Sequence, residues 1–251
     1  MTIPNALFVG INSIFLAEVD STNVFAMDLL AKTNPCEGTC IYTDFQTAGR
    51  GQIGRYWHSS AHSNLLASFI FYPKFLNPNH QFYLNIISSL AVLKVIQNYT
   101  SGATIKWPND IYVDDNKIAG ILVQNVWRGT DIKAAVIGIG LNINEVNFPE
   151  SLPNPTSLLK ITGQVLNVIQ IKDQVSASME YYYLKLKNGD MPFLRQVYLD
   201  HLYRKGKLAS FIIKDQKVDG TIMGIDDIGK IQMNIGSTLR SFDLRDISYI
   251  I

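Results

Sequence analysis

Two long β-type segments joined by a short polar turn constrain the fold of this chain most. The first covers residues 117–126 and the second residues 132–143, and the turn between them reads Arg128-Gly129-Thr130-Asp131. The second segment is almost continuously apolar apart from Gly138 and Gly140, and glycines inside a strand often mark the close approach of a ligand or another backbone. This meander predicts a mixed or antiparallel sheet packed against helices, an α+β fold.

The remaining segments supply further strands and the helices that would cover the sheet. A chain of 251 residues with 47% hydrophobic content can bury a full core. After Gly206 the chain changes to four or five short alternating segments, which predict a small β-barrel and a division into domains 1–203 and 204–251. Strands are predicted at 14–19, 40–44, 65–71, 104–107 and 110–113, and helices at 24–31, 81–99, 165–187 and 192–203.

Composition excludes several functional classes. The net charge is +1 with scattered basic residues, so we expect neither nucleic acid nor a membrane surface as a partner. Cys36 and Cys40 do not have metal-site spacing and are predicted to be free thiols in a reduced cytoplasm. His58 and His62 lie in a serine-rich segment that is typical of a loop rather than a metal site. No signal peptide or membrane-spanning run is recognisable, and we expect a cytoplasmic protein.

A glycine- and arginine-rich loop is the strongest indication of a ligand site. Residues 49–57 read Gly-Arg-Gly-Gln-Ile-Gly-Arg-Tyr-Trp. Glycine allows close approach of backbone to ligand, and arginine grips carboxylate or phosphate through paired hydrogen bonds. The loop lacks the Gly-Lys-Ser/Thr ending of a P-loop and the apolar helix start of a dinucleotide fingerprint. It predicts an anion site, with a flexible charged hairpin as the alternative.

Three other polar groups of residues could converge with this loop. The triplet Ser21-Thr22-Asn23 lies between a strand and a helix, and taken alone it is explained by helix capping. The other two are Lys106-Trp107-Pro108-Asn109-Asp110, followed by Lys117-Ile118-Ala119-Gly120-Ile121, and Gly138-Ile139-Gly140-Leu141-Asn142. No nucleophile with an adjacent base is evident. Catalysis by positioning and charge stabilisation therefore suits these residues better than covalent catalysis.

These motifs, in this order, resemble biotin protein ligase. The resemblance covers residues 21–144 and includes Ser-Thr-Asn, Gly-Arg-Gly-x-x-Gly-Arg-x-Trp, Lys-Trp-Pro-Asn-Asp, Lys-Ile-Ala-Gly-Ile-Leu and Gly-Ile-Gly-Leu-Asn-Ile-Asn. It implies a class II synthetase-like catalytic domain with a small C-terminal SH3-like β-barrel. It also implies a reaction in which biotin and ATP, with Mg²⁺, form biotinyl-5′-AMP, and a lysine of a biotin carboxyl carrier protein then accepts the biotin.

The resemblance assigns roles to individual residues. Lys117, Arg50 and Arg55 are the predicted catalytic cations, with Lys117 at the carboxylate and the α-phosphate. Asp110 is the predicted Mg²⁺ ligand. The predicted biotin site comprises Ser21, Thr22, Asn23, Gln46, Arg50, Gly51, Gln52, Lys117 and Gly120. The predicted ATP site comprises Arg55, Trp57, Asn109, Asp110 and Asn142.

Two departures from the family pattern sharpen these expectations. Gln52 stands where many members have a second arginine, so we hypothesise that the adenylate escapes more readily than from arginine-bearing members. Only 20 residues precede Ser21, too few for the DNA-binding domain of bifunctional members, so a monofunctional ligase is expected.

Two other functions compete with biotin ligation. A lipoate or octanoate attachment enzyme would have a similar fold, but a polar triplet suits a ureido ring better than an apolar acyl tail. A non-catalytic biotin-binding protein would not need cations at the reacting phosphate. The acceptor protein is left open, and so is the choice between monomer and homodimer.

Overall fold

The main body of the protein is a seven-stranded mixed sheet. The structure is a computed structural model that describes residues 5–52 and 54–251. The strand order is β1-β2-β3-β7-β6-β5-β4, and β1 and β2 are parallel while the other neighbours are antiparallel. The strands are β1 Ser13–Val19, β2 Cys40–Gln46, β3 Leu65–Phe71, β4 Ala103–Lys106, β5 Asp110–Val113, β6 Asn116–Arg128 and β7 Asp131–Leu141.

The predicted meander forms the centre of this sheet. Strands β6 and β7 pair over their length, and Gly120 faces Gly140 in their register. Strand β3 covers the other edge of β7 and is buried along all its residues. Because β7 has partners on both sides and helices above and below, its sequence can be almost continuously apolar.

Helices cover both faces of the sheet. Their bounds are α1 Thr22–Lys32, α2 Tyr83–Ile96, α3 Leu158–Thr162, α4 Val168–Lys187 and α5 Met191–Asp200. The α1 face is marked by a small cluster that contains Ala26, Ile41, Ile70 and Val136. Neighbouring residues on the same strands, such as Phe69, belong to the larger core on the opposite face, as alternation along a strand requires. Helix α2 is apolar all round because the sheet, α4 and α5 enclose it.

The C-terminal part forms a second, antiparallel sheet. Its order is β11-β10-β9-β8-β12. In the described residues no pairing joins β11 to β12, so the expected closed barrel is corrected to an open five-stranded sheet that is consistent with an SH3-like module. The domain division between residues 203 and 204 stays a prediction. The strands are β8 Leu208–Ile213, β9 Gln216–Ile225, β10 Ile231–Ile235, β11 Thr238–Phe242 and β12 Ile247–Tyr249.

Hydrogen bonds join the segment after β4 to the C-terminal sheet and to α5. The indole Nε1 of Trp107 donates to the carbonyl of Gly229 at 2.8 Å, in the turn between β9 and β10. The hydroxyl of Tyr198, in α5, donates to the carbonyl of Pro108 at 2.8 Å. Residues 107 and 108 are therefore held from outside the sheet to which their neighbours belong.

Most sequence predictions of elements are confirmed, with ends shifted by a few residues. The short helix α3 was not predicted. Cys36 and Cys40 are free thiols, and burial raises the pKa of Cys40 to about 12, so this thiol stays protonated. Within residues 5–52 and 54–251, no helix is both long and apolar enough to cross a membrane. No group of three or more metal-binding side chains is found there either.

Candidate functional site

A cavity of about 800 Å³ lies over the β6–β7 hairpin and reaches to β12. It brings together nearly all the residues that the sequence singled out. Asn109 is the exception, because it is buried and does not line the cavity. The predicted site residues that line it are Ser21, Thr22, Asn23, Gln46, Arg50, Gly51, Gln52, Arg55, Trp57, Asp110, Lys117, Gly120 and Asn142.

One end of the cavity has a floor of buried and half-buried polar side chains. The backbone N–H of Thr22 donates to Oε1 of Gln46 at 2.8 Å. The Ser68 hydroxyl donates to Oδ1 of Asn23 at 2.6 Å, and its oxygen lies 2.7 Å from the hydroxyl oxygen of Thr22. Nδ2 of Asn23 donates to Oε1 of Gln124 at 2.9 Å. This network, which we call the polar floor, fixes the direction of each amide and hydroxyl group.

The polar floor changes the interpretation of the Ser-Thr-Asn triplet. Ser21 is the N-cap of α1, but its side chain makes no capping hydrogen bond. Thr22 and Asn23 lie in the first turn of the helix and bond across to strands. Helix capping, the simpler explanation at the sequence level, therefore does not account for the triplet.

The glycines of β6 and β7 make room for two side chains of the site. A Cβ added at Gly138 would lie 2.0 Å from Oδ1 of Asn23. A Cβ at Gly140 would lie 2.4 Å from the indole ring of Trp57, and one at Gly120 would lie 2.8 Å from the same ring. The glycines do mark a close approach, but the approaching groups are side chains of the site rather than the ligand or backbone that the sequence predicted.

The glycine–arginine loop forms a hairpin that leads Trp57 into the cavity. The N–H of Gly51 donates to the carbonyl of Arg55 at 2.6 Å, and the N–H of Trp57 donates to the carbonyl of Gly49 at 3.0 Å. Among the described residues, the buried Nε1 of Trp57 has no hydrogen-bond partner. Residue 53, which belongs to this loop, lies outside the described residues. The indole N–H is therefore a donor that a ligand could use.

Asn109 supports the loop from behind. Nε2 of Gln52 donates to Oδ1 of Asn109 at 2.6 Å, and Nδ2 of Asn109 donates to Oδ1 of Asn85 in α2 at 2.8 Å. Both ends of the Asn109 amide are thereby engaged. In this geometry Asn109 holds Gln52, whereas the sequence predicted that it contacts ATP directly.

The other end of the cavity carries an excess of positive charge. Among the described lining residues, Arg50, Arg55, Lys106 and Lys117 are cationic and Asp110 is the one carboxylate side chain. Nζ of Lys117 pairs with this carboxylate at 2.7 Å. A group with several negative charges would be stabilised here.

Lys106 is a cation that the sequence did not assign to the site. Its Nζ donates to the Tyr112 hydroxyl at 3.0 Å and lies 4.8 Å from the ring centroids of both Tyr112 and Tyr249. Burial lowers the pKa of Lys106 to about 8. The sequence showed that lysines lie on both sides of Pro108. It did not show that Tyr249 of the C-terminal sheet contacts Lys106.

Asn142 directly follows β7, and one of the two polar atoms of its side-chain amide has no partner among the described residues. Its Nδ2 donates to the carbonyl of Thr156 at 2.9 Å, while its buried Oδ1 has no partner among residues 5–52 and 54–251. Sequence reasoning missed Ser68 and Gln124 altogether. The only signal for Ser68 was a single hydroxyl within an otherwise apolar strand, which is more often explained by packing.

Comparisons with known proteins agree on one family. Residues 15–142 match the model of the biotin/lipoate A/B protein ligase family. The chain is 28% identical over 243 residues to the bifunctional ligase/repressor BirA of Bacillus spizizenii, a match that covers 95% of this chain and 74% of that protein. It is 26% identical over 224 residues to the biotin–[acetyl-CoA-carboxylase] ligase of Paracoccus denitrificans, covering 86% and 91% of the two chains.

A solved structure gives the same result at the level of the fold. The biotin protein ligase from Aquifex aeolicus in complex with biotin and ATP superposes with a TM-score of 0.80 and 25% identity. The match covers 95% of this chain and 98% of that chain. It therefore includes the C-terminal sheet as well as the main sheet.

Proposed function

Because the chain belongs to the biotin/lipoate A/B protein ligase family, we propose that it attaches biotin to a lysine of a biotin carboxyl carrier protein. The reaction has two steps. A carboxylate oxygen of biotin attacks the α-phosphorus of ATP, and pyrophosphate leaves as biotinyl-5′-AMP forms. The lysine amine of the carrier then attacks the acyl carbon, loses a proton and releases AMP.

The observation that supports this proposal is the pairing of the polar floor with the cationic end in one cavity. The amide and hydroxyl groups of Thr22, Asn23 and Gln46 suit a compact ring that carries both N–H and C=O groups. The cationic side chains suit the two anions that must meet in the first step. An acid bound by its ring on the floor would direct its carboxylate toward the cations.

Lys117 has the best position to act at the reacting groups. It is the second residue of β6 and lies between Trp57 and Asp110, with its Nζ 5.7 Å from the Trp57 ring centroid. Asp110 holds this ammonium group in the cavity. We propose that Lys117 stabilises the charge that develops on the α-phosphate, and that Arg50 and Arg55 of the loop act on the same groups from above.

The residues present fit a Mg²⁺ ion that is held mainly by the substrate. Magnesium is commonly bound by one or two carboxylates together with phosphate oxygens and waters, and Asp110 offers one carboxylate in the cavity. Asn109 does not line the cavity, so Asp110 is the side chain that would hold the ion. A bound Mg²⁺ would neutralise charge on the phosphates.

Several features of the proposal come from the sequence alone. A cytoplasmic location and a reaction without nucleic acid rest on the charge balance and the cysteine content. The carrier as acceptor rests on the family and on the names of the relatives. A homodimer stays open.

Pyrophosphate release with different acids tests the proposal. We expect release from ATP and Mg²⁺ when biotin is added, and none with lipoate or octanoate, because the polar floor offers hydrogen bonds that an apolar chain cannot use. Release with lipoate or octanoate in place of biotin would assign a different acid to the same fold. Biotin binding without any release would indicate a binding protein.

A pair of lysine variants tests the assignment of Lys117. Lys117→Gln should lower the rate of adenylate formation by roughly a hundredfold, as expected for removing a fixed charge from a preorganised site. Lys133→Gln is the matched control, because Lys133 is exposed on the same sheet and does not line the cavity. Equal rates of adenylate formation for the two variants would show that Lys117 is not catalytic.

A further inference from the structure

We propose that Lys106, with Tyr249 of the C-terminal sheet, binds the pyrophosphate end of ATP. This inference deepens the proposed function and rests on it for the identity of the nucleotide. The C-terminal sheet would then contribute to nucleotide binding, because β12 forms the wall of the cavity next to Lys106.

Lys106 is a half-buried cation that makes no ion pair with a carboxylate of the described residues. Within the described residues, no carboxylate lies within 4 Å of its Nζ. Asp110 faces Lys106 across the β4–β5 ladder, but gives its carboxylate to Lys117 at 2.7 Å. Burying an unpaired charge is costly, and two aromatic rings and one hydroxyl compensate only in part. An anionic ligand in the cavity would complete the pairing.

The order of groups across the sheet matches the order of groups along the substrate. The polar floor takes its strand side chains from β2, β3 and the far half of β6, Lys117 is the second residue of β6, and Lys106 ends β4, two strands beyond β6. At about 4.8 Å per strand, the step from Lys117 to Lys106 leads away from the α-phosphate. The group that follows the α-phosphate away from biotin is the pyrophosphate.

The hydroxyl of Tyr249 points to the same ligand. It is buried and has no hydrogen-bond partner among residues 5–52 and 54–251. The Tyr249 ring also lines the cavity and contacts Lys106. A buried hydroxyl without a partner is uncommon in folded proteins and often marks a ligand position. A phosphate oxygen near Lys106 would accept its proton.

The charges around Lys106 favour an anion as well. Asp110, Lys117, Arg55 and Arg204 act on its ammonium group, and three of these four are cationic. Burial is the largest cause of the lowered Lys106 pKa, and the nearby cations add to it. A bound polyphosphate would oppose both effects, because a nearby anion favours the charged form of the lysine.

The experiment separates the two half-reactions, because pyrophosphate takes part in the first alone. In biotin-dependent ATP–pyrophosphate exchange, Lys106→Gln should raise the KM for ATP and for pyrophosphate about tenfold or more, as expected for a charged hydrogen bond. The Kd for biotin should stay within about twofold of wild type. So should the rate of biotin transfer to a carrier domain from supplied biotinyl-5′-AMP. Lys133→Gln, which removes an exposed lysine, is the control.

The outcomes distinguish this inference from the proposed function. Unchanged KM values, or an equal loss in biotin binding and transfer, would overturn the role of Lys106. If wild type shows no exchange with biotin, calorimetry with inorganic pyrophosphate still decides: weaker binding by Lys106→Gln supports the inference, and equal binding overturns it.

A milder variant covers the case in which Lys106→Gln does not fold. Tyr249→Phe removes one hydroxyl and keeps the ring against Lys106. Its Kd for pyrophosphate should rise about threefold or more, in line with the loss of one hydrogen bond to a charged group. Unchanged affinity in this variant would overturn the assignment of Tyr249.

Discussion

Removing the Ser68 hydroxyl should damage the polar floor without changing its shape. Ser68 is 0% exposed, and its hydroxyl contacts both Asn23 and Thr22. In Ser68→Ala, Oδ1 of Asn23 loses its hydrogen-bond donor and stays buried. Thr22 keeps its bond to Gln46. The floor therefore loses the hydroxyl that joins Thr22 to Asn23.

The expected cost follows from the number of groups left unpaired. One buried acceptor without a donor costs about 1–3 kcal/mol. For a protein of this size, each kcal/mol lowers the Tm by roughly 2–4 °C. A midpoint shift of roughly 2–12 °C is therefore expected. The Kd for biotin should rise about tenfold, because Asn23 is no longer held in one orientation.

Ser88→Ala is the matched control for this measurement. Ser88 is also 0% exposed, and its hydroxyl donates to the carbonyl of Leu84 one turn earlier in α2. That carbonyl keeps its helical hydrogen bond when the hydroxyl is removed, so the cost should stay below about 1 kcal/mol. Thermal unfolding and biotin calorimetry on both variants give the comparison. Equal shifts for Ser68→Ala and Ser88→Ala, with unchanged biotin affinity, would refute the role of the polar floor.

Three further changes test other parts of the site. Gly138→Ala should raise the Kd for biotin by tenfold or more, because the new Cβ would collide with Asn23; calorimetry with near wild-type affinity would contradict this. Gln52→Arg should slow the escape of the adenylate in a dissociation assay, since an arginine adds charge beside the phosphate; equal or faster escape would remove the hypothesis. Lys106→Met should raise the free energy of unfolding by about 1 kcal/mol and weaken ATP binding, because it removes a half-buried charge and keeps the packing. A loss of stability in denaturant unfolding would indicate that Lys106 has a structural role instead.

The sequence predicted the sheet and most of the site because their signals are local. The β6–β7 meander is predicted by two β-type apolar segments and the short polar turn between them. Gly138 and Gly140 indicated that another group comes close to β7. The glycines themselves do not identify the side chains that come close to them. Asn23 and Trp57 reach them from distant segments.

The remaining features depend on contacts between segments that are far apart in sequence. Ser68 looks like an ordinary strand residue until α1 packs over it and brings Asn23 within hydrogen-bond distance. Asn109 belongs to a recognisable motif, yet its contacts with Gln52 and Asn85 turn its amide away from the cavity. Lys106 acquires its environment from Tyr249, which belongs to the other sheet.

The position of Tyr249 near the end of the chain also bears on the order in which the site forms during synthesis. Every member of the polar floor lies before residue 142, whereas Tyr249 is translated much later. Domains generally fold as units, the N-terminal one first during synthesis. A nascent chain would therefore form the surface that holds the acid before it has the wall that holds the leaving group. The surface that binds the acid would therefore form before the part of the site that activates it. In the reaction, too, the acid binds before it is activated.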